Sequence, residues 1–243
     1  FTGEDWMKIL ALDSSGLVAS VAVLENETLL AEFSVNYKKT HSETLLPMID
    51  EILSMLETDV SEMDAVALAK GPGSFTGLRI GAATAKGLAL ALDLPLVPVP
   101  TVDALACNLA GTTQDLIVPM MDARRQQVYT GIYQFEEGKL QTVHEQYPAA
   151  VSELADLLNE LDRPATVLGD GVPVYRELLQ EELRVPWTEA SLHLNRQRAA
   201  SVGLLAMQYL AEGKKVSAMD FVPEYLRLSQ AERERLEKEK SGS

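Results

Sequence analysis

The chain predicts an α/β fold of two similar lobes, each a mixed sheet covered by helices. Three observations lead there. Apolar runs of strand length alternate with segments of helical periodicity along most of the 243 residues, the pattern of sheets clothed by helices. The order of the first half recurs weakly in the second: residues 7–13 and 115–122 are both apolar runs ending in an acid, each followed by two further strand candidates. The length also suits two units of about a hundred residues. The expected lobes are 7–111 and 112–228, with a late helix at 195–212 expected to pack back on the first.

Taken in order, residues 1–6 match no strand or helix pattern and read as a leader. Residues 7–13 end in Asp13 and a Ser14, Ser15, Gly16 turn. Residues 18–24 and Thr28–Val35 flank a short turn and predict a hairpin. Thr40 and Glu43 form a capping-box pair opening a helix whose stripe is Leu45, Met48, Ile49, Ile52, Leu53 and Leu56, with Pro47 expected to bend it. Residues 65–69 are apolar throughout, as suits a strand buried on both faces. Gly71, Pro72 and Gly73 stop that strand, and a helix of small residues runs from Thr76 to Leu92. Residues 96–99 read as a strand, followed by a helix capped by Thr101 and ending at Gly111.

In the second half, 115–122, 127–135 and 139–147 are strand candidates, Val151–Leu161 a helix and Ala165–Leu168 a strand. Gly169, Asp170 and Gly171 turn into a helix at 174–183, and a polar connector leads to the helix at 195–212, stopped by Gly213. Residues 229–240 are polar on nearly every face, with Glu234 and Lys238 an i,i+4 pair, and read as a solvated tail.

Composition narrows the function. The chain is 47% hydrophobic and 23% charged, an ordinary balance for a chain with one sizeable core or two. No apolar run approaches the roughly 20 residues of a membrane span, and a single cysteine, Cys107, excludes an internal disulfide, so the cytoplasm is expected. With 36 acidic against 21 basic residues the net charge is −15. Such a chain repels the nucleic-acid backbone, so RNA is expected to be reached only through a more basic partner.

Metal and hydrolase chemistry fails on inventory. His41, His144 and His193 fall in separate segments, no serine sits in GxSxG, and Ser74 has no placed base. The glycine loop at 71–77 does not match a Walker A loop or a dinucleotide fingerprint, so a tight turn feeding a close-packed helix fits better than direct phosphate contact. Gly77, Gly81 and Ala85 recur every four residues and give that helix a face with almost no side chain. Asp13 and Asp122 each end the first strand of a lobe, where α/β folds place ligand groups. For Asp13 a Mg²⁺–phosphate role and a turn-capping role both stand; for Asp122, a local salt bridge to Arg124 or Arg125 leads.

The segments LALDSS (10–15), GPGSFTGLRIG (71–81), PLVPVPTVDALA (95–106), MDARRQQVY (121–129), LGDG (168–171) and PEYLR (223–227) resemble the TsaB family, also called YeaZ. The resemblance implies a duplicated actin-like ATPase (ASKHA) fold. It also implies a bacterial cytoplasmic role in forming threonylcarbamoyladenosine beside the anticodon of tRNAs that read codons starting with A. Family members look like inactive sisters of TsaD, whose HxxxH histidines hold a metal; here Thr101 and Leu105 stand at those places. The resemblance therefore implies a scaffold with no cofactor of its own, ATP and a metal ion residing in partner subunits, and room for a nucleotide at the TsaD interface. It implies pairing with TsaD, through it with TsaE, and self-association as a homodimer, tRNA being met only through the complex and no membrane being involved.

The expected partner face is Leu45, Met48, Ile49, Ile52, Gly77, Arg79, Gly81 and Ala85. Asp13, Ser14, Gly73 and Ser74 are the expected remnant of a phosphate–Mg²⁺ site. Two other classes stand beside this one: a stand-alone ATPase or small-molecule kinase of the actin-like superfamily, and a peptidase of the glycoprotease (M22-like) grouping, the weaker for want of ligands or a nucleophile–base pair.

Overall fold

A computed structural model describes residues 7–226 apart from Glu27 and Lys38; the expected leader at 1–6 and the charged tail at 229–243 lie outside the described residues. Two five-stranded mixed sheets form the frame. In the first, β1 (Lys8–Asp13) is central, antiparallel to β2 (Ala19–Glu25) and parallel to β4 (Ala65–Gly71). The edges are β3 (Thr28–Val35) and β5 (Leu96–Pro100). In the second, β6 (Leu116–Asp122) is central, antiparallel to β7 (Gln127–Glu136) and parallel to β9 (Ala165–Leu168), with β8 (Lys139–Ala150) and β10 (Trp187–Glu189) at the edges. Strand by strand, the order β3-β2-β1-β4-β5 is repeated as β8-β7-β6-β9-β10, so the fold is duplicated. Only β10 is unexpected: three residues inside the polar connector are too few to show an alternation.

Both faces of the first sheet are covered, which is why its central strands are apolar without alternation. On one face Leu10, Leu12, Val66 and Leu68 pack under α1 (His41–Met55) and α2 (Phe75–Leu92). On the other, Ile9, Ala11, Ala65 and Ala67 meet α6 (Ala199–Ala211). The short α3 (Thr101–Cys107) lies between the sheets, with Ala104 and Cys107 in the first core and Val102 and Leu105 against Ile117 and Tyr133 of the second. The outer face of the second sheet carries α4 (Val151–Leu161) and α5 (Gly171–Glu182). Among the described residues no helix is long and apolar enough to cross a membrane.

Local signals hold where the partner is a sequence neighbour. Thr40 N–H donates to Glu43 at 3.2 Å at the head of α1, and Pro47 lies inside that helix without ending it. They fail where the partner is distant. The last helix begins at Ala199 rather than at 195 because the residues before it serve other elements: Asn195 accepts the Gly169 N–H, and Gln197 is buried against Gly16. Its first donors are capped from the first sheet, Ala199 N–H by Ser20 Oγ at 2.9 Å and Ala200 N–H by Glu32 at 3.0 Å, while Arg198 pairs with Glu32. Thr101 does not cap α3 through its side chain; Pro100 holds the cap position and Thr101 Oγ1 accepts the Gly71 N–H instead at 3.2 Å. After α6 the chain returns along β5, pairs Val216 with Leu96, buries Phe221 in the first core and joins Glu224 to Lys70 at 2.7 Å.

Candidate functional site

The carboxyl ends of β1 and β4 place Asp13, Ser14, Gly73 and Ser74 together at the head of α2. Asp13 is buried; its Oδ1 accepts the Ser15 N–H at 2.8 Å and the Ser15 hydroxyl at 2.6 Å, and its Oδ2 has no partner. Burial pushes its carboxyl up from 3.8 to about 6, against the pull of the Ser15 hydrogen bonds and His41. Ser14 Oγ donates to Gly77 O at 2.9 Å, and Ser15 O accepts the Ser74 N–H at 2.7 Å. Ser74 Oγ accepts the Gly77 N–H at 3.3 Å as the α2 cap. A Cβ at Gly73, Gly77 or Gly81 would overlap Ser15 O, Ser14 O or Ser14 Oγ. Two of the donors at the head of α2, the Ser74 and Gly77 N–H, are thus engaged by the chain's own carbonyl and hydroxyl.

This geometry corrects the expected partner face. Gly77, Gly81 and Ala85 point into the chain, toward the Ser14–Ser15 turn and the first sheet, and Leu45, Met48, Ile49 and Ile52 are buried under the same helices. Only Arg79 stays outside, its guanidinium 4.1 Å from the Phe75 ring centre. The outward sides of α1 and α2 carry other residues: Asp50, Glu51 and Ser54 flanked by Leu46 and Met55 on α1, and Ala83, Gly87 and Leu90 on α2. A groove of about 500 Å³ opens beside Leu46, Leu53 and Leu88.

In the second lobe the expected Asp122 salt bridge is not formed. Asp122 Oδ1 accepts the Arg124 N–H at 2.8 Å and the Tyr175 hydroxyl at 2.8 Å, while Asp170 Oδ1 takes the Asp122 N–H at 3.0 Å. Burial, helped by Asp122, raises the Tyr175 phenol to about 12. Burial likewise raises Asp170, which sits at the head of α5.

At α3, Thr101 and Leu105 are both buried, the first bonded to Gly71 and the second in the core. One residue the sequence reading missed lies between them: Asp103 accepts the Tyr133 hydroxyl at 2.7 Å and faces Tyr209, and burial raises its carboxyl. No motif marks it, because its partners come from β7 and α6. Burial also pushes the Cys107 thiol up to about 12, far from a reactive thiolate. Among the described residues no group of three His, Cys, Asp or Glu is placed to hold a metal ion.

Two such lobes define the actin-like class of ATPases and sugar kinases. A solved hexokinase of the ROK type from Thermus thermophilus superposes with a TM-score of 0.50 at 14% identity, over 85% of this chain and all of that one, a likeness of fold alone. The family model described as "TsaD: tRNA N6-adenosine threonylcarbamoyltransferase" matches residues 28–235. A relative from Bacillus subtilis, "tRNA threonylcarbamoyladenosine biosynthesis protein TsaB", is 34% identical, covering 96% of this chain and all of the relative. The solved YeaZ from Pseudomonas aeruginosa is 28% identical with a TM-score of 0.78, covering 90% of this chain and all of that one. The chain belongs to the TsaB (YeaZ) family, within the TsaD-like glycoprotease superfamily.

Two substitutions test this geometry. Gly81→Leu forces a side chain onto Ser14 and is expected to lower stability by about 1–3 kcal/mol or more and the melting point by roughly 2–12 °C; an unchanged melting temperature would place that face outside. Asp13, raised to about 6 when folded, contributes stability below pH 4 that is lost as the pH rises through 6. Asp13→Asn keeps the Oδ1 acceptor, so thermal melts from pH 4 to 8 are expected to show the variant gaining on wild type as pH rises, by up to about 3 kcal/mol. Parallel profiles would contradict it.

Proposed function

We propose that the chain is a non-catalytic subunit of the machinery that forms N6-threonylcarbamoyladenosine in tRNA, pairing with TsaD and, through it, TsaE. Family membership places it in tRNA threonylcarbamoyladenosine biosynthesis. The observation that carries the scaffold role is the packing of the chain's own Ser14–Ser15 turn against the glycine face of α2, with the Ser74 and Gly77 N–H both engaged within the chain. The buried Thr101 and Leu105 agree with it, since neither side chain is a transition-metal ligand of the kind histidine supplies. In this reading ATP and metal chemistry belong to the partner subunits. The kinase alternative has only the likeness of fold behind it.

The contact surface in this reading is the outward side of α2, where Ala83, Gly87 and Leu90 share an exposed stripe, together with the exposed Leu46 of α1. A helix side with little side chain and an exposed leucine suits a helix-to-helix interface with TsaD or with a second copy. The test is the double variant Leu46→Glu with Leu90→Glu, mixed with TsaD and TsaE. Its melting temperature is expected to match wild type, while co-elution with TsaD and incorporation of threonylcarbamoyl into tRNA are lost. Undiminished pairing would overturn the surface, and transfer by the isolated chain would overturn the scaffold role.

A further inference from the structure

The turn between β6 and β7 combines a costly backbone with two unpaired cations. Arg124, Arg125 and Gln126 have φ of 62°, 56° and 57°, three successive side-chain-bearing residues in the left-handed region. That conformation is disfavoured for L-residues, and it persists only where the surroundings over-determine it. Here they do. Asp122, held by the Tyr175 hydroxyl, accepts the Arg124 N–H; Ala123 N–H reaches Gln127 O at 2.9 Å; Gln127 N–H reaches Arg124 O at 3.2 Å; and Val151 N–H at the head of α4 takes Gln126 O at 3.1 Å. Glycine would make the same turn without the cost.

Both arginines are exposed, and neither forms an ion pair among the described residues. The adjacent carboxylate, Asp122, is engaged by a backbone N–H and a phenol rather than by a guanidinium. In a chain of net charge −15, a rigid turn that aims two free guanidinium groups at solvent is a local exception to a repelling surface.

We propose that Arg124 and Arg125 dock on the phosphodiester backbone of the tRNA when the chain sits in its complex, a proposal that rests on the subunit reading above. Guanidinium forks stay charged and match phosphate oxygens in pairs. A turn fixed in advance reduces the ordering that binding would otherwise require. A polyanion carrying a phosphate at every nucleotide fits two adjacent free guanidinium groups on an acidic chain better than an acidic protein patch does, because two closely spaced charges can each meet a phosphate.

The test is the double variant Arg124→Gly with Arg125→Gly in the complex reconstituted with TsaD and TsaE, titrated with tRNA across a salt series. Glycine relieves the backbone, so the variant is expected to melt at or above wild type and to pair with TsaD as before. Its tRNA affinity is expected to fall roughly tenfold, as the loss of one net charge-assisted contact already implies. The slope of log affinity on log salt is expected to flatten by roughly 1.4, about 0.7 for each of two lost contacts on single-stranded RNA. Arg124→Lys with Arg125→Lys is expected to keep the salt slope, because the charge remains, while losing part of the affinity with the paired fork. Unchanged affinity and slope in a complex that forms would overturn this inference alone. Affinity lost only in step with TsaD pairing would give the turn to an acidic protein partner and overturn it too. A wild-type chain that does not pair with TsaD would overturn the subunit reading itself.

Discussion

The fit of the Ser14–Ser15 turn into the glycine face of α2 is the contact on which the rest of the first lobe depends. Ser15 O takes the Ser74 N–H, Ser14 Oγ reaches Gly77 O, and no Cβ stands in the way at 73, 77 or 81. Because α2 can come this close, its Ala82, Ala85 and Ala89 reach the sheet, and α1 packs alongside with Leu45 and Ile52 fully inside. The same fit decides what the site can do. Much of its hydrogen-bonding capacity is turned inward, and among the described residues Asp13 Oδ2, His41 Nδ1 and Gln197 Nε2 around the turn are left buried and unpartnered.

The second lobe solves the same topological problem with other chemistry. At the end of β6 the chain again turns next to a helix head, and Gly169 and Gly171 pack against Met120 O. There the turn is closed by a carboxylate pair of unequal duty: Asp170 takes the Asp122 N–H, and Asp122 takes Tyr175 and Arg124. Each lobe thus ends its central strand in an acid whose Oδ1 closes a local turn, while Asp13 keeps a buried, unpartnered Oδ2.

The frame was legible because buried strands and amphipathic helices leave their period in the sequence; β1, β4 and α1 lie close to where their apolar patterns put them. What escaped depends on distant partners. Thr101 looks like a cap until Gly71 is seen to claim its hydroxyl, and 195–198 look helical until Gly169, Gly16 and Glu32 are seen to use those side chains. The spacing of Gly77, Gly81 and Ala85 announces a small face but not which backbone fills it; the answer was the chain's own turn rather than a partner helix. The Arg124 and Arg125 pair was read as a salt bridge by proximity, and no glycine in that turn signalled its left-handed backbone.

The central claim is the proposal that the first lobe, whose α2 head is packed against the chain's own Ser14–Ser15 turn, holds no nucleotide of its own. The most direct measurement is a calorimetric titration of the isolated chain with Mg²⁺ and ATP up to millimolar concentration. The account predicts no saturable heat, since the Ser14–Ser15 turn fills the glycine face of α2 and the Ser74 and Gly77 N–H are already engaged. One-to-one saturable binding at micromolar ATP, weakened by Asp13→Asn, would contradict it.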